Sequence, residues 1–470
     1  MSQHHLDRLT SFDTSFLLNE KKNGHMAIGT LLIGEGPAPS HEECLARVGS
    51  RLHLTPRQRQ RLTFAPLWTG TPYWVDYPEF ELEEHVHRVT APAPGGKEEL
   101  TRLISELMAP PLDRSRPLWQ IWFVDGLAGG RFAILYRFHH AMADGLSVLD
   151  IAKLLADGVE PEGKPAPAWH PNKPPNRLRL GTNALAGFAR LLRRLLVGLA
   201  RSGRQPRRRL RRLGRGLAGL WAWTWIEPAP RSPFNVAIGP RRCFHSVTAE
   251  LETFKRIKSE LGGTVNDVAL SVVATALRKW LLDEEVETKR LHLRALVPVS
   301  TRTTDERNLG NSLAAMRGPL PIHVSDSVER LHLVSAGMEK LKTSKQALGA
   351  ETLWEINDWF AEFAPVLLKL SAVANFTTRY FNLLVTNLPG PPGAAPMLGR
   401  TVTEAYPIGF LAKRHALSIA IASYNGRMNF GILADPDAIA GVDRIAAHIE
   451  ADIETLAAAA ERSAATPVRA

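Results

Sequence analysis

Between Lys173 and Arg215 the chain carries fourteen lysines and arginines and not a single aspartate or glutamate. This run constrains the fold most. Like charge concentrated in one segment needs a local explanation. It also accounts for the whole net charge of +11 and leaves the remaining chain slightly acidic. A chain of 470 residues exceeds one ordinary core, so two domains joined by connecting matter are expected. We therefore read residues 1–157 as a first domain and 158–240 as a Pro-rich linker followed by an Arg/Leu-rich amphipathic helical segment. Residues 241–470 form the second domain.

Composition sets further bounds. An apolar share of 44% and a charged share of 22% are those of a globular protein, not a disordered one. Cys44 and Cys243 lie far apart and match no metal or redox spacing, which favours a reducing compartment over a disulfide framework. Met1 to Glu20 lacks the apolar core and small-residue site of a secretory leader, and no apolar run reaches spanning length. A chain of this kind that meets a membrane lies on it.

Periodicity places the elements. His25 to Ile33 is β-rich, and Glu42 to Leu52 reads as a short helix. Trp119 to His139 has a hairpin pattern, with its turn at Asp125-Gly126 and Phe132, Ile134, Tyr136 and Phe138 alternating on the return. Leu146, Leu149, Ile151, Ala152 and Leu155 recur at helical spacing. Pro206 divides the stretch from Leu178 to Ile226 into two helical pieces. Further on, Val265 to Leu282 predicts a helix, Leu291 to Pro298 a strand and Leu353 to Leu370 an apolar helix. Leu417 to Ser423 and Met428 to Leu433 flank Asn425-Gly426, a pair suited to the positive φ angles of a type I′ turn. Ile439, Val442, Ile445, Ile449, Ile453 and Leu456 mark a final helix with Asp437 near its start. Strands and helices interleave without βαβ alternation, a glycine fingerprint or a short repeat. The expected class is α/β in the layered α+β sense, not a doubly wound nucleotide-binding sheet.

Chemistry concentrates in His139-His140-Ala141-Met142-Ala143-Asp144-Gly145. A strand delivers two histidines to its C-terminal end, and Asp144-Gly145 opens the following helix. Neutral imidazole accepts a proton from a hydroxyl and returns it to a leaving thiolate. Neighbours on a strand face opposite ways, so one histidine packs while the other faces a cavity. Asp144 suits the role of helix N-cap. No further His, Cys or Asp falls at ligand spacing, so no metal is expected. His4-His5 fall in the terminal stretch, and His85-Val86-His87 reads as a strand lacking a third ligand.

His-His-x-x-x-Asp-Gly is the signature of the CoA-dependent acyltransferase superfamily, and the wider sequence resembles its bacterial wax ester synthase/diacylglycerol acyltransferase branch. The resemblance runs almost end to end in the right order. It includes Leu9-Thr10-Ser11-Phe12-Asp13 with Phe16-Leu17 and Glu20, then His25-Met26, and Pro111-Leu112-Asp113 through Pro117-Leu118-Trp119. Ser232 to Asn235, Ile238 to Arg242, Thr264-Val265-Asn266-Asp267-Val268, Val297 to Ser300, Gly310-Asn311 and Thr386-Asn387-Leu388-Pro389-Gly390-Pro391 continue it. The resemblance implies two chloramphenicol-acetyltransferase-like domains with an active-site tunnel between them. It implies that His140 is the general base, while His139, Asp144 and Gly145 shape the site. Asn266 and Asp267 match a second family motif, although Thr264 and Asp267 are also spaced as a relative of the capping box. Ser300, Thr386 and Asn387 are candidate oxyanion or substrate donors.

The implied reaction is direct transfer from acyl-CoA, a co-substrate, to the hydroxyl of diacylglycerol or a fatty alcohol, with no cofactor. No Gly-x-Ser-x-Gly elbow is present and neither cysteine adjoins a motif histidine, which fits the absence of an acyl-enzyme. A carrier-protein-dependent transfer or condensation enzyme shares the signature, but no carrier region is fused here. A non-catalytic lipid-surface binder is the other alternative. In 177–226, Leu191, Leu192, Leu195, Leu196 and Leu199 alternate with Arg190, Arg193, Arg194 and Arg201, and Trp221, Trp223 and Trp225 follow. That pattern suits an interfacial helix pair on an anionic membrane or lipid droplet, with packing of the leucines between the two domains as the alternative. Nucleic acid is not an expected partner, since no recognition module accompanies the arginines. The expected location is cytoplasmic, peripheral on the inner membrane face or lipid droplets.

Overall fold

A computed structural model describes residues 7–64, 72–142, 147–159, 168–173, 228–300, 313–343 and 380–465, with isolated positions between 175 and 193. The first half contains β1 (Asp7–Arg8), α1 (Ser11–Asn19), β2 (Ala27–Glu35), α2 (His41–Arg51), β3 (Gln60–Thr63), β4 (Tyr73–Asp76), β5 (Val86–Thr90), α3 (Lys97–Met108), β6 (Trp119–Leu127), β7 (Arg131–His139) and α4 (Ser147–Leu155). The second contains β8 (Cys243–Glu250), α5 (Leu251–Leu261), α6 (Val265–Asp283), β9 (Leu293–Ser300), β10 (Leu313–Leu320), α7 (Ser327–Thr343), β11 (Leu383–Leu388), β12 (Ala395–Met397), β13 (Arg400–Ile408), β14 (Leu417–Tyr424), β15 (Arg427–Ala434) and α8 (Val442–Ala465). The apolar helix expected over 353–370, Asp144-Gly145 and nearly all of 177–226 lie outside the described residues.

Local chemistry explains where elements start and turn. Helix α2 opens with a capping box in which Ser40 Oγ accepts from Glu43 N–H at 3.1 Å and Glu43 accepts from Ser40 N–H at 2.6 Å. Helix α6 opens the same way. Asp267 N–H donates to Thr264 Oγ1 at 3.2 Å, and Thr264 N–H donates to Asp267 Oδ2 at 2.9 Å. Asn425 and Gly426 adopt φ of 50° and 71°, so β14 and β15 join through the left-handed pair their sequence suggests. The β6–β7 hairpin differs from expectation. Asp125-Gly126 forms a register shift, and the chain turns later, at Gly129 and Gly130 with φ of 74° and 65°. The last helix starts at Val442, while Ile439 packs in the core ahead of it.

Among the described residues, two six-stranded sheets organise the molecule, in orders β12-β13-β2-β7-β6-β5 and β10-β9-β11-β14-β15-β8, with β1-β4-β3 as a small third sheet. The first sheet crosses the sequence division between 1–157 and 241–470, because β12 and β13 belong to it. Strand β13 runs antiparallel to β2 from Val402↔Gly34 to Ile408↔Gly29, and the chain then steps through 409–416 into β14 of the second sheet. One face of the first sheet buries Leu32, Ile134, Tyr136 and Phe138 with Leu154 of α4. Its other face buries Leu31, Ile33, Ala133 and Leu135 against Phe244, Tyr406 and Leu433, so the halves share a core. A separate core packs α6 and α8 on the second sheet.

The two sheets approach closely at Gly431 of β15, where a Cβ would lie 1.8 Å from the Pro407 carbonyl oxygen. A backbone carbonyl cannot swing aside as a side chain does. Gly431→Ala is therefore expected to destabilise the protein by more than about 3 kcal/mol in urea unfolding, the upper range of overpacking costs. A loss under about 1 kcal/mol would show that the joint yields more easily than this geometry allows.

Candidate active site

His139 is the last residue of β7, paired with Ala27, and His140 follows where the sheet ends. Their side chains part as strand geometry demands: His139 is buried and His140 half-buried. His139 Nδ1 accepts from Ala141 N–H at 3.0 Å, so the ring proton resides on Nε2, which lies 3.5 Å from Glu20 Oε2. Glu20 sits at the C-cap of α1. Arg114 donates to Glu20 through two nitrogens, one at 2.7 Å, and to Leu17 O at 3.0 Å. The other Glu20 oxygen accepts from Met26 N–H at 3.3 Å, and Met26 O accepts from His140 N–H at 2.9 Å. One carboxylate thus joins α1, the loop at 114, the entry to β2 and the histidine pair. Burial by itself would raise the Glu20 acid, but His139 and Arg114 outweigh it and hold the acid down at about 2.

His140 meets a different environment. Phe16 stacks on its ring at 3.8 Å and 21°, and Phe410 meets it edge-on at 5.5 Å and 88°. The two phenylalanines touch each other at 5.9 Å. Phe16, Met26, Leu384, Phe410 and Ala412 form one buried cluster, with Ile28 and Leu296 packed against it. The imidazole therefore sits where the two sheets join. Desolvation, with a smaller contribution from the neighbouring His139, lowers its pKa to about 3. At neutral pH the ring is uncharged, the form that accepts a proton.

The second motif divides into two functions. Asp267 is buried and committed to the α6 cap. Asn266, next to it, accepts at Oδ1 from Asn387 Nδ2 at 3.1 Å, which brings together two residues 121 positions apart. On β11, Leu383 and Val385 pack in the α6 core whereas Leu384 packs with Phe16 and Phe410. Alternation places Thr386 on the face of Leu384 and Asn387 on the face toward α6. Ser300 ends β9 opposite Leu313, and its side chain lies outside the described residues. So do Asp144 and Gly145. His85 is a packed residue, stacked 4.8 Å from Trp119 with Nδ1 2.8 Å from Trp119 O. His25 lies 3.0 Å from Ala109 O. Among the described residues no group of three His, Cys, Asp or Glu is placed to hold a metal ion.

Sequence reasoning matched Glu20 and Phe16 to the family opening but assigned them no role, and it missed Arg114 and Phe410. A basic residue 94 positions from Glu20 carries no local signal, and Phe410 arrives through a crossover without periodicity.

Residues 9–269 match the wax ester synthase/diacylglycerol acyltransferase catalytic domain, and residues 309–457 match the WS/DGAT C-terminal domain. The chain belongs to this family. A probable diacylglycerol O-acyltransferase of Mycobacterium tuberculosis is 30% identical over 479 residues, covering 98% of each chain. The wax ester synthase/diacylglycerol acyltransferase from Marinobacter aquaeolei is 25% identical, with a TM-score of 0.66 over 97% of this chain and 100% of that one. The first condensation domain of the calcium-dependent antibiotic synthetase is 16% identical at a TM-score of 0.56, over 98% of this chain and 97% of that one. That likeness is one of fold, the two-domain chloramphenicol-acetyltransferase-like arrangement.

The Glu20 hub yields a prediction with a defined sign. Its folded pKa of about 2 lies below the ordinary 4.5, so its stabilisation is fully present above pH 4.5 and is lost as pH falls from there toward 2. Glu20→Gln is expected to lower unfolding free energy at pH 7 by on the order of 3 kcal/mol, with the gap to wild type closing toward pH 2. Equal losses at pH 7 and pH 2.5 in chemical denaturation would remove the carboxylate from this role.

Proposed function

We propose that the protein transfers the acyl group of an acyl-CoA to the hydroxyl of diacylglycerol, forming triacylglycerol, with fatty alcohols as alternative acceptors and His140 as general base. The single observation that carries this is a neutral imidazole held at the junction of two sheets in a chain of this family. As the acceptor oxygen attacks the thioester carbonyl, His140 takes the hydroxyl proton. The C–S bond then breaks, and the imidazolium returns the proton to the departing thiolate, giving CoA and the ester. Glu20, through His139 and the Met26 backbone, holds the base in place. Thr386, on the site face of β11, is favoured over Asn387 as a donor to the oxyanion, since Asn387 is engaged by Asn266. Asp144 and Gly145, by their place in the family motif, take a site-shaping role and no part in the proton transfer. On this reading the reaction needs no cofactor.

The relative from Mycobacterium tuberculosis, whose name specifies diacylglycerol, supports that acceptor, and the Marinobacter aquaeolei enzyme supports the wax ester alternative. The acceptor and product are insoluble, so the enzyme works at an anionic membrane or lipid-droplet surface. Residues 177–226 attach it there, each arginine near the surface contributing about 1 kcal/mol. Among the described residues no helix is long and apolar enough to cross a membrane.

Free CoA released from palmitoyl-CoA, with diacylglycerol or hexadecanol as acceptor, tests the chemistry. His140→Ala is expected to lose about 10²- to 10⁴-fold in acceptor-dependent release. No acceptor-dependent release from the wild type would count against the assignment, and full activity in the variant would remove the base. Because the His140 pKa is lowered to about 3, kcat/KM should show no His140 half-point near pH 6.5. An acid limb centred there that His140→Ala abolishes would contradict the neutral-base reading. Deleting 201–215 is expected to weaken flotation with liposomes containing anionic lipid. Unchanged flotation would take the segment out of membrane attachment.

A further inference from the structure

We infer that Phe410 is a positioning residue that keeps water from His140, so that the acyl group passes to an alcohol and not to hydrolysis. This rests on the acyltransferase reading and concerns its selectivity. Water is the most abundant hydroxyl nucleophile near any esterifying base. If it reached His140 beside a bound thioester, the same base would serve it. His140 would take a water proton, the oxygen would attack the carbonyl carbon, the C–S bond would break and the thiolate would recover the proton. The products would be a free fatty acid and CoA.

The surroundings of His140 oppose that outcome from both halves of the molecule. Phe16 covers one ring face from α1, while Phe410 closes on the ring edge-on from the crossover between the sheets. Both are buried, at 2% and 5% exposure, although His140 itself stays half-buried. The clamp therefore leaves part of the base accessible and walls the rest with hydrocarbon. Around Phe410 lie Met26, Leu384 and Ala412, an apolar setting that offers water no partners. Backbone geometry fixes its delivery. At Gly409 a Cβ would lie 2.3 Å from Ser418 Oγ, so the crossover is pressed against β14 immediately before the ring. A long-chain acceptor fills apolar space and covers the open part of the base as its hydroxyl arrives, so a bound acceptor completes the exclusion of water that Phe16 and Phe410 begin.

The test follows both products in one reaction of the full chain with labelled palmitoyl-CoA and diacylglycerol. Triacylglycerol and free palmitate are measured for wild type, Phe410→Ala and Phe410→Leu. The expected result is a palmitate-to-triacylglycerol ratio at least about tenfold higher in Phe410→Ala, with Phe410→Leu intermediate because it restores part of the apolar volume. The palmitate should disappear when His140→Ala is added. An equal fall in both products, at an unchanged ratio, would assign Phe410 a packing role only and overturn the inference while leaving the transferase reading intact. Wild type that makes no triacylglycerol would overturn the reading beneath it. If Phe410→Ala does not fold, the ratio in Phe410→Leu decides.

Discussion

Strand β13 comes from the second half of the chain by sequence and belongs to the first sheet by hydrogen bonding. The meeting of the two sheets at the candidate site, and with it the contact of Phe410 with His140, depends on that pairing. Its register with β2, ending at Ile408↔Gly29, sets where the chain leaves the first sheet, and the following eight residues set where it joins the second. Because β2 also pairs with β7, the same ladder sets Phe410 relative to the end of the strand that carries His139. A one-residue slip in β13 would turn every side chain to the opposite face and take the crossover out of position. The absence of a side chain at Gly431 allows this approach, since Pro407 O occupies the space a Cβ would need.

Adjacent histidines acquire opposite electrostatic surroundings from this arrangement. His139 faces a carboxylate that is itself held by Arg114, so its proton is assigned and its ring fixed. His140 faces phenylalanines and is kept neutral by desolvation. Catalysis by proton transfer needs a base that is unprotonated and correctly aimed before the substrate arrives. Burial supplies the first property and the backbone bond from His140 N–H to Met26 O contributes to the second. The cost is a group that favours unfolding as pH falls below the ordinary imidazole range, since the unfolded chain then binds a proton the folded one does not.

Condensation domains share the architecture at 16% identity, so the fold alone does not choose the acceptor. What lines the space next to His140 bears on that choice. Here that lining is aromatic and aliphatic, drawn from α1, β2, β9, β11 and the crossover. The apolar character is consistent with lipid substrates and with the exclusion of water argued for Phe410.

Much of this was legible in the residue order. The β6–β7 hairpin, the capped α6, the Asn425-Gly426 turn and the histidine pair at a strand end all follow from local periodicity and side-chain chemistry acting within a few residues. The capping role of Asp267 was legible for the same reason, because its partner Thr264 lies three positions away. What only the tertiary structure decided is which distant residues meet. Glu20 with Arg114, Asn266 with Asn387, and Phe16 with Phe410 are separated by 94, 121 and 394 positions respectively. Such contacts arise from sheet register and from a strand that changes sheets, and neither leaves a periodic trace. The sequence determined the histidine pair and the elements that present it. The tertiary structure determined the charge and the orientation of His140, because those properties belong to its surroundings.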